Sequence, residues 1–141
     1  MVKVVLKLKK NDINGVEISG HANSSEYGQD IVCASISGIT QTILLGLIDI
    51  LDGNIEYKIE SGYLYFKLPD DLEPSMLEKV QVLTNTLRLG LDNIKENYSD
   101  YIYIRKALIT PTIVSVLRDI KQNHPNIKIL MEIPTYPYDK E

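Results

Sequence analysis

A single cysteine and a nearby histidine are the residues of this 141-residue sequence best suited to chemistry. His21 lies in the tripeptide Gly20-His21-Ala22, and eleven residues separate it from Cys33, the only cysteine of the chain. A cysteine thiolate is a strong nucleophile, and a histidine beside it can accept the thiol proton and later donate it to a leaving amine. The pair therefore predicts cysteine-dependent cleavage of a peptide bond.

The residues around Cys33 predict how a helix would activate it. Asp30 is a favourable N-cap for an apolar helix, so Cys33 is expected in the first helical turn. Unpaired backbone N–H groups and the helix macrodipole favour a thiolate there, and the same N–H groups can form an oxyanion hole. Ser37, one turn beyond Cys33, either lines the cleft or bonds its own helix.

Each of these residues also has a purely structural interpretation. Free cysteine is among the most buried residue types, so a lone cysteine at the start of an apolar helix usually packs in the core. His21 can simply end a strand, and Asp30 is better explained as a cap than as a residue that orients the histidine. One cysteine and one histidine are too few ligands for a structural zinc site, so we expect no metal and no cofactor.

The secondary-structure elements that position His21 and Cys33 include five short β-strands. Residues 2–9 alternate apolar side chains mainly with lysines, the period-two pattern of a half-buried strand. Turn-forming residues at 11–15 lead into a second strand that ends at Gly20. Ser61-Gly62 separates the third and fourth strands as a tight hairpin. The five predicted strands are residues 2–9, 16–20, 55–60, 63–68 and 101–106.

Two long helices are predicted from apolar residues at spacings of three and four. Between the second strand and the first helix, residues 23–29 show neither period and are predicted to form a surface loop. The expected helix boundaries are Asp30 to about Leu51, with Gly53 as the stop, and a second start at Asp70 or Asp71 with Pro74. The expected buried stripes are Ile36, Ile39, Ile43, Leu47 and Ile50, and then Met76, Val80, Leu83, Leu87, Leu91 and Ile94.

The element order ββαββαβ predicts an α+β fold. Two hairpins favour a mostly antiparallel sheet. The apolar stripes of the two helices must be buried, and they can be buried against one face of that sheet. We therefore expect a two-layer sandwich with both long helices on one face. A chain of 141 residues is long enough for one such domain and an appendage.

Composition narrows the possible partners and the location. The chain is 44% hydrophobic and 24% charged, as in soluble globular proteins, and its net charge of -4 argues against direct nucleic-acid binding. A basic peptide is the more natural partner. We see no apolar run long enough to span a bilayer and no signal-peptide pattern, so we expect no membrane partner and a cytoplasmic location. A single cysteine cannot form an internal disulfide.

The tripeptide GHA after the second strand and the sequence DIVCASIS that opens the first helix resemble the ribosomal-processing cysteine protease family, Prp. The resemblance spans about residues 1–106 and includes the element order. It implies that His21 and Cys33 form a catalytic dyad. The other motif positions, expected to bind substrate or support the dyad, are Gly20, Ala22, Asp30 and Ser37.

The resemblance also implies a substrate and an assembly. Members of the family remove a short N-terminal extension from a large-subunit ribosomal protein, so that protein's precursor is the expected partner. The family is dimeric, so we expect a homodimer, and the loop at residues 23–29 is expected to order around substrate. The competing hypothesis is a non-catalytic, ribosome-associated module that binds a peptide in the same cleft. A binding cleft has no need of a nucleophile, which favours the protease.

The C-terminal tail, residues 107–141, does not fit the family pattern and is treated as a separate, unrelated segment. It suggests a helix at 111–122, a strand at 126–133 and a Pro/Tyr-rich end. Residues 123–141 resemble an N-terminal segment of bacterial sugar-nucleotide glycosyltransferases. The fragment is far too short for such an enzyme and carries no glycine-rich phosphate loop. A gene fusion or a joined reading frame would leave this tail poorly packed.

Overall fold

The computed structural model describes residues 1–20, 27–109, 117 and 120–126, with the backbone alone at 27–30. The chain divides into two units, Met1–Ile109 and Thr110–Glu141. The first unit contains every strand and both long helices of the described residues. Its elements are β1 (Val2–Lys9), β2 (Asp12–Ser19), α1 (Tyr27–Ile50), β3 (Glu56–Glu60), β4 (Tyr63–Lys67), α2 (Pro74–Asn97) and β5 (Ile102–Leu108).

The five strands form one sheet in the order β3-β4-β2-β1-β5. Neighbouring strands are antiparallel except for β1 and β5, which are parallel. Along β1, the side chains of Val2, Val4, Leu6 and Leu8 are buried, whereas those between them are exposed or half-buried. One sheet face therefore carries the core, and the predicted ββαββαβ order and two-layer α+β fold are confirmed.

Both helices contribute to a single apolar core. Ile36 and Leu47 of α1 and Val80, Leu87 and Leu91 of α2 are all buried, and each belongs to a predicted stripe. Full burial of a side chain of this size stabilises the fold by about 1.5–3 kcal/mol. The helices are therefore held in place by their apolar stripes, as the spacing of three and four predicts.

The predicted end of α1 is confirmed by backbone geometry, whereas α2 begins at Pro74 and not at Asp70 or Asp71. Gly53 has a φ of 80° and donates its N–H to Ile48 O at 2.9 Å, which stops α1 after Ile50. At the start of α2, Pro74 occupies the first helical turn, where its missing N–H costs nothing. Glu73 occupies the N-cap position without a side-chain hydrogen bond.

The second strand begins four residues earlier than predicted, at Asp12 rather than Val16. Lys7 pairs with Gly15 and Leu8 with Ile13, so a bulge accommodates the extra residue between them. The Gln81 side chain of α2 then bonds both backbone groups of Ile13, at 3.3 Å to its N–H and 3.1 Å to its carbonyl oxygen. These hydrogen bonds from α2 therefore outweigh the local preference of residues 11–15 for a turn.

The last strand also runs further than predicted, to Leu108 instead of residue 106. Ala107 and Leu108 pair with Lys7 and Leu8 of β1, and the Ile109 N–H donates to Leu8 O at 2.7 Å. The sheet therefore uses three residues that the sequence assigned to the tail.

Part of α1, Ile31–Ile50, is long and apolar enough to cross a membrane, with a mean hydropathy of 2.0 over an 18-residue window. The expectation that no apolar run reaches this length is therefore wrong. Val32, Leu44 and Leu47 of this segment are buried in the core, although only 28% of it is buried in all. Because core helices of soluble proteins can have the same length and composition, the segment alone is weak evidence for a membrane.

The second unit is described at residue 117 and residues 120–126 only. Residues 117 and 120–123 are helical, and the His124 N–H donates to Ile120 O at 2.9 Å. This agrees with the helix expected in the tail. The strand expected at 126–133 and the Pro/Tyr-rich end lie outside the described residues, apart from residue 126.

Candidate active site

Cys33 is a half-buried free cysteine in the second turn of α1, packed against the core. The helix begins at Tyr27, so Cys33 is its seventh residue. The predictions that Asp30 caps the helix and that Cys33 lies in the first turn are therefore wrong. Nothing in residues 27–29 stops a helix: the single glycine, Gly28, costs only about 1 kcal/mol.

This earlier start moves the electrostatic end of α1 away from Cys33. The four unpaired N–H groups of a helix belong to its first four residues, here Tyr27–Asp30. The favourable effect of the macrodipole on an anion also fades beyond the first turn. Activation of Cys33 and an oxyanion hole cannot therefore be ascribed to the helix N-terminus, as the sequence suggested.

A cavity of about 230 Å³ lies beside Cys33, between α1, the ends of β1 and β2, and the β3-β4 hairpin. It brings together Gly20, Cys33 and Ser37 of the predicted site residues. His21 and Ala22 lie outside the described residues, and Asp30 is described by its backbone alone. Of the loop predicted at 23–29, residues 23–26 also lie outside the described residues, and the prediction is wrong for residues 27–29, which belong to α1. The residues that line the cavity are Val2, Ile18, Gly20, Cys33, Ile36, Ser37, Thr40, Gln41, Ile59, Glu60, Gly62, Tyr63 and Leu64.

Gly20 holds the end of β2 in a conformation that other residues avoid. Its φ is 123°, and its N–H donates to Gly62 O at 3.1 Å. A Cβ atom at this position would lie 2.5 Å from Met1 O, far inside contact distance. Contacts with β1 and with the β3-β4 turn therefore fix the position of the chain just before residue 21. These constraints explain why the GHA tripeptide begins with glycine.

Gly20→Ala is expected to lower the free energy of unfolding by at least about 1–3 kcal/mol, because it adds steric conflict to a disfavoured φ. Urea denaturation measures this change. Gly38→Ala is the matched control, since a Cβ at Gly38 meets nothing within 4 Å and alanine favours a helix by about 1 kcal/mol. Equal stability of the Gly20→Ala protein and the unaltered protein would contradict the proposed role of this glycine.

Ser37 is exposed and lines the cavity, and its Oγ accepts a hydrogen bond from Gln41 Nε2 at 2.8 Å. Both interpretations of Ser37 therefore hold, because it lines the cleft and also bonds a side chain one turn further along its own helix. Glu60 on the opposite hairpin pairs with Lys58 at 3.4 Å. These side chains give the cavity a partly polar rim.

Sequence reasoning missed the β3-β4 hairpin as a wall of this site. Its residues are brought there by sheet pairing, because Ser19 at the end of β2 pairs with Tyr63. No motif marks Ile59 or Leu64, and only the strand order places them near Cys33. Thr40 and Gln41 were also missed, although both lie about two turns from Cys33 on α1.

Comparisons with known proteins show which family the chain belongs to. The model of the family described as cysteine protease Prp matches residues 1–103. The ribosomal processing cysteine protease Prp of Bacillus subtilis (strain 168) is 31% identical over 99 residues, covering 66% of this chain and 85% of the relative. The protein of the same name from Staphylococcus aureus (strain Mu50 / ATCC 700699) is 28% identical over 96 residues, with 64% and 83% covered.

Solved structures give the same result. The crystal structure of SMU.848 from Streptococcus mutans is 29% identical with a TM-score of 0.67, covering 77% of this chain and 96% of that one. Prp from S. aureus with a covalently linked product peptide is 26% identical with a TM-score of 0.55, with 75% and 99% covered. The resemblance to the Prp family is thereby confirmed. Over residues 1–103, the chain belongs to the cysteine protease Prp family.

Proposed function

We propose that the chain is a cysteine endopeptidase that removes a short N-terminal extension from a large-subunit ribosomal protein, with His21 and Cys33 as its dyad. The observation that carries the proposal is the shared cavity: Cys33 lines it, and so does Gly20, the residue bonded to His21. A nucleophile and the backbone that leads into its base therefore meet at one cleft.

The proposed reaction is acyl transfer through Cys33. His21 accepts the thiol proton while the sulfur attacks the carbonyl carbon, and the proton then passes to the nitrogen as the C–N bond breaks. Water, deprotonated by His21, hydrolyses the resulting thioester and restores the thiol. A product peptide covalently linked to the S. aureus Prp supports a covalent step in this family.

The substrate follows from what the relatives are named for. The B. subtilis and S. aureus relatives are ribosomal processing proteases. Ribosomal proteins are basic because they contact RNA, and a chain of net charge -4 suits a basic partner. Incubation of the purified chain with the host precursor, followed by mass spectrometry, tests this substrate. An intact precursor would contradict it.

A non-catalytic peptide-binding module is the second candidate. One observation favours it: Cys33 lies in the second turn of α1, so the helix terminus does not activate it. The two candidates differ in one readout. A binding module would retain the precursor without shortening it, whereas the endopeptidase shortens it.

We also propose a cytoplasmic homodimer. Leu45, Val82 and Leu89 on the two helices are each about two-thirds exposed, and burial of such side chains against a second copy of the chain would stabilise a dimer. Analytical ultracentrifugation of the full chain should give twice the monomer mass of 16.0 kDa. A single species of monomer mass at micromolar concentration would contradict the dimer.

The catalytic domain is proposed to need nothing beyond Ile109. A chain that ends at Ile109 should melt and cleave like the full chain, because it keeps all five strands and both helices. A chain that ends at Lys106 loses the pairing of Ala107 and Leu108 and the Ile109 bond to Leu8, so its Tm should fall by several degrees. Differential scanning calorimetry compares the three. Early melting or aggregation of the chain ending at Ile109 would show that the tail belongs to the domain.

A further inference from the structure

The strand β3 forms one edge of the sheet, beside the cavity that contains Cys33. β4 pairs with one side of β3, and none of the described strands pairs with the other side. All five residues of β3 are exposed, and Ile59 also lines the cavity. An unpaired strand edge presents backbone N–H and C=O groups that a further strand can bond. A peptide held at this edge would therefore adjoin the proposed active site.

Hydrogen bonds between β2 and β4 show which residues of β4 bond β3. Opposite residues of an antiparallel pair alternate between hydrogen-bonded and unbonded pairs. Just before β4, the Gly20 N–H donates to Gly62 O at 3.1 Å. Just after β4, the Leu68 N–H donates to Asn14 O at 2.8 Å. The even-numbered residues of β4 therefore bond β2, and its odd-numbered residues bond β3.

The free backbone groups of β3 belong to Tyr57 and Ile59. The odd-numbered residues of β4 lie opposite Glu56, Lys58 and Glu60, so these three bond β4 through their backbone. The N–H and C=O groups of Tyr57 and Ile59 therefore point to the free edge. Their side chains lie on the core face, because their partners on β4 are buried, yet both are 49% exposed. A further strand would bond four backbone groups and cover two apolar side chains.

The charges of β3 argue against a second copy of the chain as that strand. In the antiparallel register that uses all the free groups of both copies, Tyr57 of each copy lies opposite Ile59 of the other. Glu56 then lies opposite Glu60, and Lys58 lies opposite Lys58. Like charges directly opposite each other destabilise a strand pair, whereas basic residues opposite the two glutamates stabilise it. The edge therefore suits a different chain, of basic character.

The spacing of the strands relates this edge to the cleaved bond. His21 follows the end of β2, and the sheet continues from β2 through β4 to β3. A strand added to β3 would lie three strand spacings from β2, about 14 Å. An extended peptide covers that distance with about four or five residues. The segment at the edge is therefore separate from the residues on either side of the cleaved bond.

We propose that the edge of β3 is an exosite, a substrate-binding surface outside the cavity: an extended segment of the substrate pairs with it as a sixth strand. The segment bonds the backbone of Tyr57 and Ile59, about four or more residues from the bond that Cys33 cleaves. It carries apolar residues beside Tyr57 and Ile59 and basic residues opposite Glu56 and Glu60. The proposal rests on the proposed protease function, because it describes how the same substrate is held.

Peptides with a methylated backbone test strand pairing directly, because each N-methyl group removes one N–H donor and leaves the side chains unchanged. The probes are synthetic peptides that span the cleavage site of the host precursor, each N-methylated at one position. Calorimetric titration of the full chain carrying Cys33→Ala gives their affinities without turnover. Affinity should fall about five-fold at each of two alternate positions, and little at the residue between them. Both positions should lie about four or more residues from the cleaved bond.

Second substitutions on the Cys33→Ala chain locate the pairing. Tyr57→Pro removes a free N–H and places ring atoms at the edge, so peptide affinity should fall about five-fold or more. Tyr57→Ala is the matched control, because it removes the side chain, keeps the N–H and should keep the alternate pattern. Lys58→Pro removes an N–H that bonds β4, so its Tm should lie several degrees below that of Tyr57→Pro. The N-methyl scan decides the question if Tyr57→Pro does not fold.

Three results would overturn the proposal: a scan without two alternate sensitive positions, a folded Tyr57→Pro chain with unchanged peptide affinity, or no binding of any peptide. Ultracentrifugation that shows a dimer lost in Tyr57→Pro, with peptide affinity unchanged, would assign the edge to a second copy instead. Cleavage by the chain with Cys33 intact is measured separately. If the alternate pattern is found but nothing is cleaved, the protease function fails and the binding role of β3 stands.

Discussion

Cys33→Ala is expected to reduce peptide cleavage by about 10⁴-fold or more, because it removes the only thiol of the chain. The side chain is small and half-buried, so the cost in stability should be about 1 kcal/mol. Initial rates on the host precursor measure the loss, and a thermal melt shows that the fold persists. No other described residue lining the cavity carries a thiol.

Ser35→Ala provides the matched control for this substitution. Ser35 lies two residues further along α1, is exposed, and its hydroxyl donates to the Ile31 carbonyl oxygen at 2.8 Å. Its loss should leave the cleavage rate unchanged. If Cys33→Ala cleaves as fast as the unaltered protein, Cys33 is not the nucleophile and its half-buried position is a matter of packing.

His21→Ala is expected to reduce cleavage by about 10²–10⁴-fold, the usual contribution of a general acid and base. In the proposed dyad the imidazole accepts the thiol proton and donates it to the leaving amine, so the substitution removes both transfers. Rates on the same precursor measure the effect, with peptide binding as a separate readout that should change little.

His124 is the natural control, as the only other histidine of the chain. It is exposed and belongs to the second unit, Thr110–Glu141. His124→Ala should leave the rate unchanged. Loss of activity in His124→Ala, with full activity in His21→Ala, would assign the base to the tail and reverse the domain division.

Periodicity predicted most of the fold because the core needs regular apolar spacing. Alternation placed Val4 and Leu6 on one strand face, and spacings of three and four placed Leu47 and Leu87 in the helix stripes; all four are buried. These patterns reflect burial directly. The element order then left few ways to arrange two helices on one sheet.

Element boundaries were harder to predict because contacts distant in sequence decide them. Asp30 is a good cap by residue type, but α1 begins three residues earlier, at Tyr27. Asn14 and Gly15 favour a turn, yet a bulge and the Gln81 side chain draw them into β2. At β2, local preference is weaker than tertiary bonding, whereas at α1 a possible cap does not start the helix because residues 27–29 can themselves be helical.

The site was predictable only where a motif marks it. GHA and DIVCASIS drew attention to Gly20, Cys33 and Ser37, which line one cavity. The hairpin wall carries no motif, because its position depends on the pairing of β2 with β4.

The most direct test of the account is mass spectrometry of the host's large-subunit ribosomal protein precursor after incubation with the purified full chain. The account predicts one new species, shortened at the N-terminus by a short peptide, which appears with the unaltered protein and with Ser35→Ala but not with Cys33→Ala. The central claim would be contradicted if the precursor stays intact with the unaltered protein, or if Cys33→Ala shortens it equally.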